Sequence, residues 1–206
     1  MKPSLANNPV QESYCTTAQF AKRDRAYHKH CGPTAITNLV LTLRPELAKE
    51  ALRVFDEVAA LGRQSLAYWN VAATKRLGGT SDGLAGVYLR RVLKHFSCAD
   101  ARIRFAGPAT AARVRAALQE GKIVYLEMHF HPKYHNHHLL LYGYEWQGFR
   151  AADGWRSTPV ILSESDLRGC LFSPSRTQLR CVCLVKKQIF NSRLSMAGVF
   201  FCRYLL

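Results

Sequence analysis

The string His30-Cys31-Gly32-Pro33-Thr34-Ala35 opens onto the apolar positions Ile36, Leu39, Val40 and Leu43, which recur at helical spacing. Proline suits the first turn of a helix, because the amide it lacks has no partner there. Cys31 therefore stands at the positive end of a helix macrodipole, where a thiolate is stabilised and the thiol pKa falls. That placement suits a nucleophile: Gly32 leaves room for a substrate backbone, and the Cys31 amide can face an oxyanion. A buried cysteine at a helix start is the plainer alternative.

Two further strings supply the groups a nucleophile needs. Asn136-His137-His138-Leu139-Leu140-Leu141-Tyr142-Gly143-Tyr144-Glu145 puts a histidine at the head of an apolar strand. Phe149-Arg150-Ala151-Ala152-Asp153 reads as the strand returning after a turn at Trp146-Gln147-Gly148. In that hairpin Asp153 falls opposite Leu139 or Leu140, within side-chain reach of His137. A carboxylate beside an imidazole fixes its tautomer and steadies the imidazolium. His137 and His138 alternate across the strand, and the six-residue spacing to Gly143 selects His137. His138 is expected at the side or surface, and Trp155 in the core. His129, His131 and His135 are expected in a loop or at a cleft edge.

The elements that position these groups divide along the chain. Residues 1–26 are polar and expected irregular. Helices are expected over Thr34–Leu43, Glu46–Leu61 (stopped by Gly62), Gln64–Leu77 and Asp82–Phe96. A short strand over Ala101–Phe105 and a helix over Pro108–Gln119 come next. Strands are then expected over Lys122–His129, Leu139–Glu145, Phe149–Ala152, Pro159–Leu162 and Leu179–Val185, with a Ser163-capped helix to Leu167. Helices first and strands second is an α+β pattern. Residues 186–206 read as a basic, apolar tail.

Together, in this order, the three strings resemble the papain-like cysteine peptidases of the bacteriocin-processing, double-glycine-leader type. Cys31-Gly32-Pro33-Thr34 resembles the nucleophile motif, His137 to Gly143-Tyr144 the histidine motif, and Asp153 the orienting acid. Pro108–Gly121 and Lys122–Glu127 resemble the helix and strand that precede the histidine. The resemblance spans Cys31 to Leu167. It implies a papain-like domain over 27–185, with the catalytic helix packed on an antiparallel sheet. It implies a Cys31-His137-Asp153 triad that hydrolyses peptide or amide bonds through a thioester, without metal or cofactor. The family's oxyanion glutamine lies shortly before the cysteine. Here the residue assigned to that role is Gln19, twelve positions upstream. The family's Asp-Pro is Asp153-Gly154. A peptide-binding module that has lost catalysis, and an acyltransferase using the same triad, are the alternatives.

Charge and composition narrow the classes. The 206 residues hold 29 Lys+Arg against 14 Asp+Glu, a net +15. Lysine and arginine are spread along the chain, not gathered on one helix or stripe, so no specific nucleic-acid partner is expected; acidic partners are. After Asp166 there is no acid, while Arg168, Arg176, Arg180, Lys186, Lys187, Arg193 and Arg203 follow. Seven cysteines and eight histidines raise zinc as a rival. No Cys-x-x-Cys pair and no His-x3-His pair on a helix supports it, and the His-x-His spacings fall in strand or loop. No secretory signal or membrane span is read, so a cytoplasmic location is expected.

Overall fold

The computed structural model describes residues 13–23, 28–71, 74–98, 101, 103–108, 110–169 and 180–184. The helices are α1 (Thr17–Arg23), α2 (Cys31–Leu43), α3 (Ala51–Gln64), α4 (Ala85–His95), α5 (Ala111–Gln119) and α6 (Glu164–Gly169). The strands are β1 (Tyr68–Val71), β2 (Thr74–Thr80), β3 (Ile103–Pro108), β4 (Ile123–His131), β5 (His135–Glu145), β6 (Gly148–Ala152), β7 (Val160–Leu162) and β8 (Arg180–Leu184). β1 and β2 form a separate hairpin, and the other six make one antiparallel sheet in the order β3-β8-β4-β5-β6-β7. The fold class is α+β.

Helix α2 is the centre of the molecule. Every residue from Gly32 to Thr42 is buried. Ile36, Leu39 and Val40 share one apolar cluster with Val54, Phe55 and Val58 of α3 and with Tyr125, Leu140 and Tyr142 of the sheet. Val114, Ala117 and Leu118 of α5 share a second cluster with Leu126, Leu139, Leu141 and Phe149. Since successive strand residues point to opposite faces, α2 covers one face of the sheet and α5 the other. The β5–β6 ladder pairs Glu145 with Gly148 and Gly143 with Arg150. It then shifts by one residue at Tyr142, so that Leu140 faces Ala152. Asp153 thus comes one step after the last ladder pair, at the position opposite Leu139.

Several local expectations change. The segment expected as a helix over Gln64–Leu77 is mostly hairpin. Helix α3 runs on to Gln64, and Ala67 N donates to the Gly62 carbonyl to close it, with Leu66 at φ 56°. Gly62 does not stop the helix. It is needed inside it, because a β-carbon there would sit 2.6 Å from the Tyr88 ring. Past the closure, Tyr68, Trp69 and Val71 favour strand, and Gly78 and Gly79 take φ of 123° and 132°, which no helix allows. The single helix expected over Glu46–Leu61 is a 3-10 turn over Pro45–Glu50 followed by α3. Ser163 and Asp166 do cap α6, each side chain bonding the other's backbone amide.

The N-terminal segment is not irregular throughout. The Thr16 hydroxyl accepts from Gln19 N and caps α1. Phe20 stacks on Phe55 at 3.8 Å between ring centroids. Before α1, the Asn38 amide of α2 grips the Cys15 backbone twice, accepting from its N–H at 2.8 Å and donating to its carbonyl at 3.0 Å. The segment is thereby strapped to the central helix. The expected tail, 186–206, lies outside the described residues. Among those residues no helix is long and apolar enough to cross a membrane.

Candidate active site

A cleft of about 790 Å³ opens where the N-terminus of α2 meets the β4–β5 end of the sheet. Cys31 and His137 both line it. Cys31 is half-buried as the first residue of α2. The backbone around it is packed rather than open. A β-carbon on Gly32 would lie 2.1 Å from the Thr80 hydroxyl oxygen. Gly32 therefore admits the end of β2, not a substrate backbone, and Thr80 keys the turn that presents the thiol. His30 is buried, with Nε2 at 2.9 Å from the Thr17 carbonyl and its ring edge-on to Phe55.

His137 is 4% exposed, and its Nε2 lies 2.6 Å from the backbone carbonyl of Asp153. A carbonyl only accepts, so Nε2 carries the proton and Nδ1 of the neutral ring keeps its lone pair as a base. Burial lowers the His137 pKa. The hydrogen bond to Asp153 and the negative charge of Asp153 oppose that shift without cancelling it. Tyr134 stacks nearly parallel on the imidazole at 5.5 Å, and the Trp155 ring lies 5.0 Å away on a tilt. Trp155 is 45% exposed and lines the cleft, so it is wall and not core.

Asp153 is 1% exposed, but its carboxylate is directed away from the role expected of it. Oδ1 accepts from the amides of Trp155 at 2.9 Å and Arg156 at 3.0 Å, and Oδ2 from the Tyr134 hydroxyl at 3.3 Å. These bonds build an Asx-type turn, eased by Gly154 at φ 70°. The turn holds the carbonyl that orients His137. The Gly154 carbonyl in turn accepts from Thr17 N at 2.7 Å and from the Thr17 hydroxyl at 3.2 Å. The N-terminal segment, held to α2 by Asn38 at Cys15, is thus also tied at Thr17 to the loop behind His137.

The other expectations resolve differently. Gln19 is exposed on α1 and is not part of the cleft wall, which α1 builds from Thr17, Ala18 and Ala21. His138 is buried, not at the surface, with Nδ1 2.8 Å from the Tyr125 hydroxyl oxygen. Burial pushes its pKa down to about 3. His129 and His135 line the cleft as expected. His131 does not; its Nδ1 accepts from the amides of Lys133 and Tyr134 and closes the β4–β5 turn. Among the described residues no group of three or more His, Cys, Asp or Glu is arranged to hold a metal. Tyr134, Thr17, Asn38 and Thr80 carry no spacing signal in the sequence; the turn propensity of Asp153-Gly154 marks only the neighbourhood of Tyr134 and Thr17.

The chain matches no family model, no curated protein and no solved structure.

Proposed function

We propose that the protein is a papain-like cysteine hydrolase of peptide or amide bonds. The observation that carries this reading is the meeting in one cleft of Cys31, at the head of the buried helix, and His137, whose Nε2 is bonded to the Asp153 carbonyl. His137 Nδ1 removes the thiol proton, and sulfur adds to the substrate carbonyl carbon. The carbonyl oxygen becomes an oxyanion beside the Cys31 amide at the positive end of α2. Collapse breaks the C–N bond, and the amine leaves with the proton held by His137. Water then adds to the thioester, giving its proton to His137. The thiolate departs and the acid is released. Asp153 works through its backbone carbonyl, with the carboxylate holding the turn.

A thiol-directed active-site probe tests the reading. Wild type is expected to be labelled at Cys31, and Cys31→Ala not at all. Equal labelling of the two proteins would refute it. A non-catalytic papain-like module that binds peptides in the same cleft is the second reading. It is favoured by the exposed position of Gln19 and by an Asp153 carboxylate engaged with backbone amides. A Cys31 thiol that titrates near the ordinary value of about 8.5 would select it.

A further inference from the structure

Cys31 and His137 sit on different elements, α2 and β5, so no local pattern fixes the distance between thiol and imidazole. Thr17 bonds to both surroundings. It is the first residue of α1, and the first amides of a helix have no partner within it. Its N–H is directed instead to the Gly154 carbonyl at 2.7 Å, and its hydroxyl donates to the same oxygen at 3.2 Å. Its own carbonyl accepts from His30 Nε2 at 2.9 Å. His30 immediately precedes Cys31, and Gly154 immediately follows Asp153, whose carbonyl holds His137. The same three elements are packed together at this point. A β-carbon on Gly154 would lie 3.5 Å from Thr34 Cγ2 of α2 and 3.9 Å from Thr17 Cγ2. A further bond, from Tyr14 N to the Ser157 carbonyl at 2.7 Å, holds the same loop to the N-terminal segment.

We infer that Thr17 is a positioning residue for the thiol and the imidazole, holding the residue before Cys31 and the loop behind His137 in one register. It acts through His30 and Gly154, not on a substrate. The inference rests on the hydrolase reading for its effect on turnover, and on the bonds of Thr17 alone for its effect on the His137 ring. Without the tie at Gly154, the Asp153 carbonyl is free to shift, and the Nε2–H tautomer of His137 loses the acceptor that selects it.

The test is a series at position 17 in the full chain. Hydrolysis of an internally quenched peptide is read beside the ring-nitrogen shifts of His137 in ¹⁵N-histidine-labelled protein. Thr17→Pro removes both donors to Gly154, keeps the carbonyl that accepts from His30, and suits the first turn of α1. Its kcat is expected to fall about 10²-fold, and its KM to change far less, since a misplacement of about 1 Å between reacting groups has an effect of that size. The single His137 tautomer of wild type should give way to a mixture. Thr17→Ser keeps both donors and should stay close to wild type, and Thr17→Val, which loses the hydroxyl, should fall between. Packing alone would rank the isosteric Val above Ser. Thr17→Val exceeding Thr17→Ser would overturn the inference. So would a Thr17→Pro protein, folded by circular dichroism, that keeps wild-type kcat and a single His137 tautomer. Should Thr17→Pro not fold, the order of Ser and Val in kcat and tautomer decides alone. A tautomer mixture in Thr17→Pro, beside a wild type that turns over no peptide, would keep the positioning role and sink the hydrolase reading.

Discussion

His137 and His138 are neighbours in the chain, are both buried, and lie on opposite faces of β5. His138 shares its face with Leu140 and Tyr142, beneath α2, and bonds the Tyr125 hydroxyl. His137 shares its face with Leu139 and Leu141, and is held between Tyr134, Trp155 and the Asp153 carbonyl. Both line the cleft, because it lies at the end of the sheet where the two faces meet. Burial does not distinguish them. The partners do: one ring is oriented by a pure acceptor that pushes its pKa back up, while for the other burial and the neighbouring histidines His137 and His129 all act downward.

The largest expected effect tests that division directly. On the proposed hydrolase reading His137→Ala removes the general base and should cost hydrolysis about 10²- to 10⁴-fold, with the fold retained by circular dichroism. His138→Phe should lose far less turnover and instead lower the melting temperature. If the turnover losses are interchanged, the base is His138 and the site belongs to the α2 face.

Asp153 provides the next largest contrast. Asp153→Ala removes the acceptor of two partly buried amides and should cost about 1–3 kcal/mol of stability, together with activity. Asp153→Asn keeps one acceptor oxygen and the backbone carbonyl, and should retain most of the turnover. A loss in Asp153→Asn as large as in Asp153→Ala, at unchanged stability, would return the orienting role to the carboxylate.

The two tyrosines sharpen the comparison further. Tyr125→Phe takes the 2.8 Å partner from a buried imidazole and should cost about 1–3 kcal/mol in urea unfolding. Tyr134→Phe keeps the stack on His137 and loses only a 3.3 Å contact, so a change below about 1 kcal/mol is expected. The reverse order would mean that the Asp153 turn, not the Tyr125 shelf, is the stiffer support.

The last contrast is in the pH dependence. His30, His131, His137 and His138 all have pKa values lowered mainly by burial. The unfolded chain therefore binds more protons below the ordinary value of 6.5, and stability must fall as pH drops through that range. For His138 the loss continues down toward pH 3. Denaturant midpoints at pH 7.5, 6 and 5 check the sign, and His138→Phe should flatten the slope by up to about one proton. A midpoint that rises on acidification would show these rings to be charged in the fold.

How much was legible varied with the range of the interaction. Helix α2, the β5–β6 hairpin and α6 were readable because apolar periodicity, turn residues and caps act within a few positions. The turn at Trp146-Gln147 and the near-opposition of Asp153 and Leu139 followed from the same local rules. The β1–β2 hairpin was misread as helix because Gln64–Leu77 lacks a strong period, and its glycines signal a stop without saying of what. Trp155 was misplaced because a tryptophan's burial depends on what lies opposite. Gly32 was read as an opening for substrate when Thr80, far along the chain, occupies the space.

The sequence alone determined the ingredients: a cysteine at a helix start, a histidine at a strand start, an aspartate at the end of the paired strand, and a surplus of positive charge. Each is encoded by short-range pattern or by composition. Tertiary structure alone decided how they are used. It turned the Asp153 carboxylate onto its own turn and offered the carbonyl to His137. It placed Gln19 outside the cleft, sank His138 beneath α2, and left the cleft wall without an acid among the described residues. Those outcomes depend on contacts between Thr17 and Gly154, Asn38 and Cys15, and Thr80 and Gly32, residues far apart in the chain whose meeting no local propensity encodes.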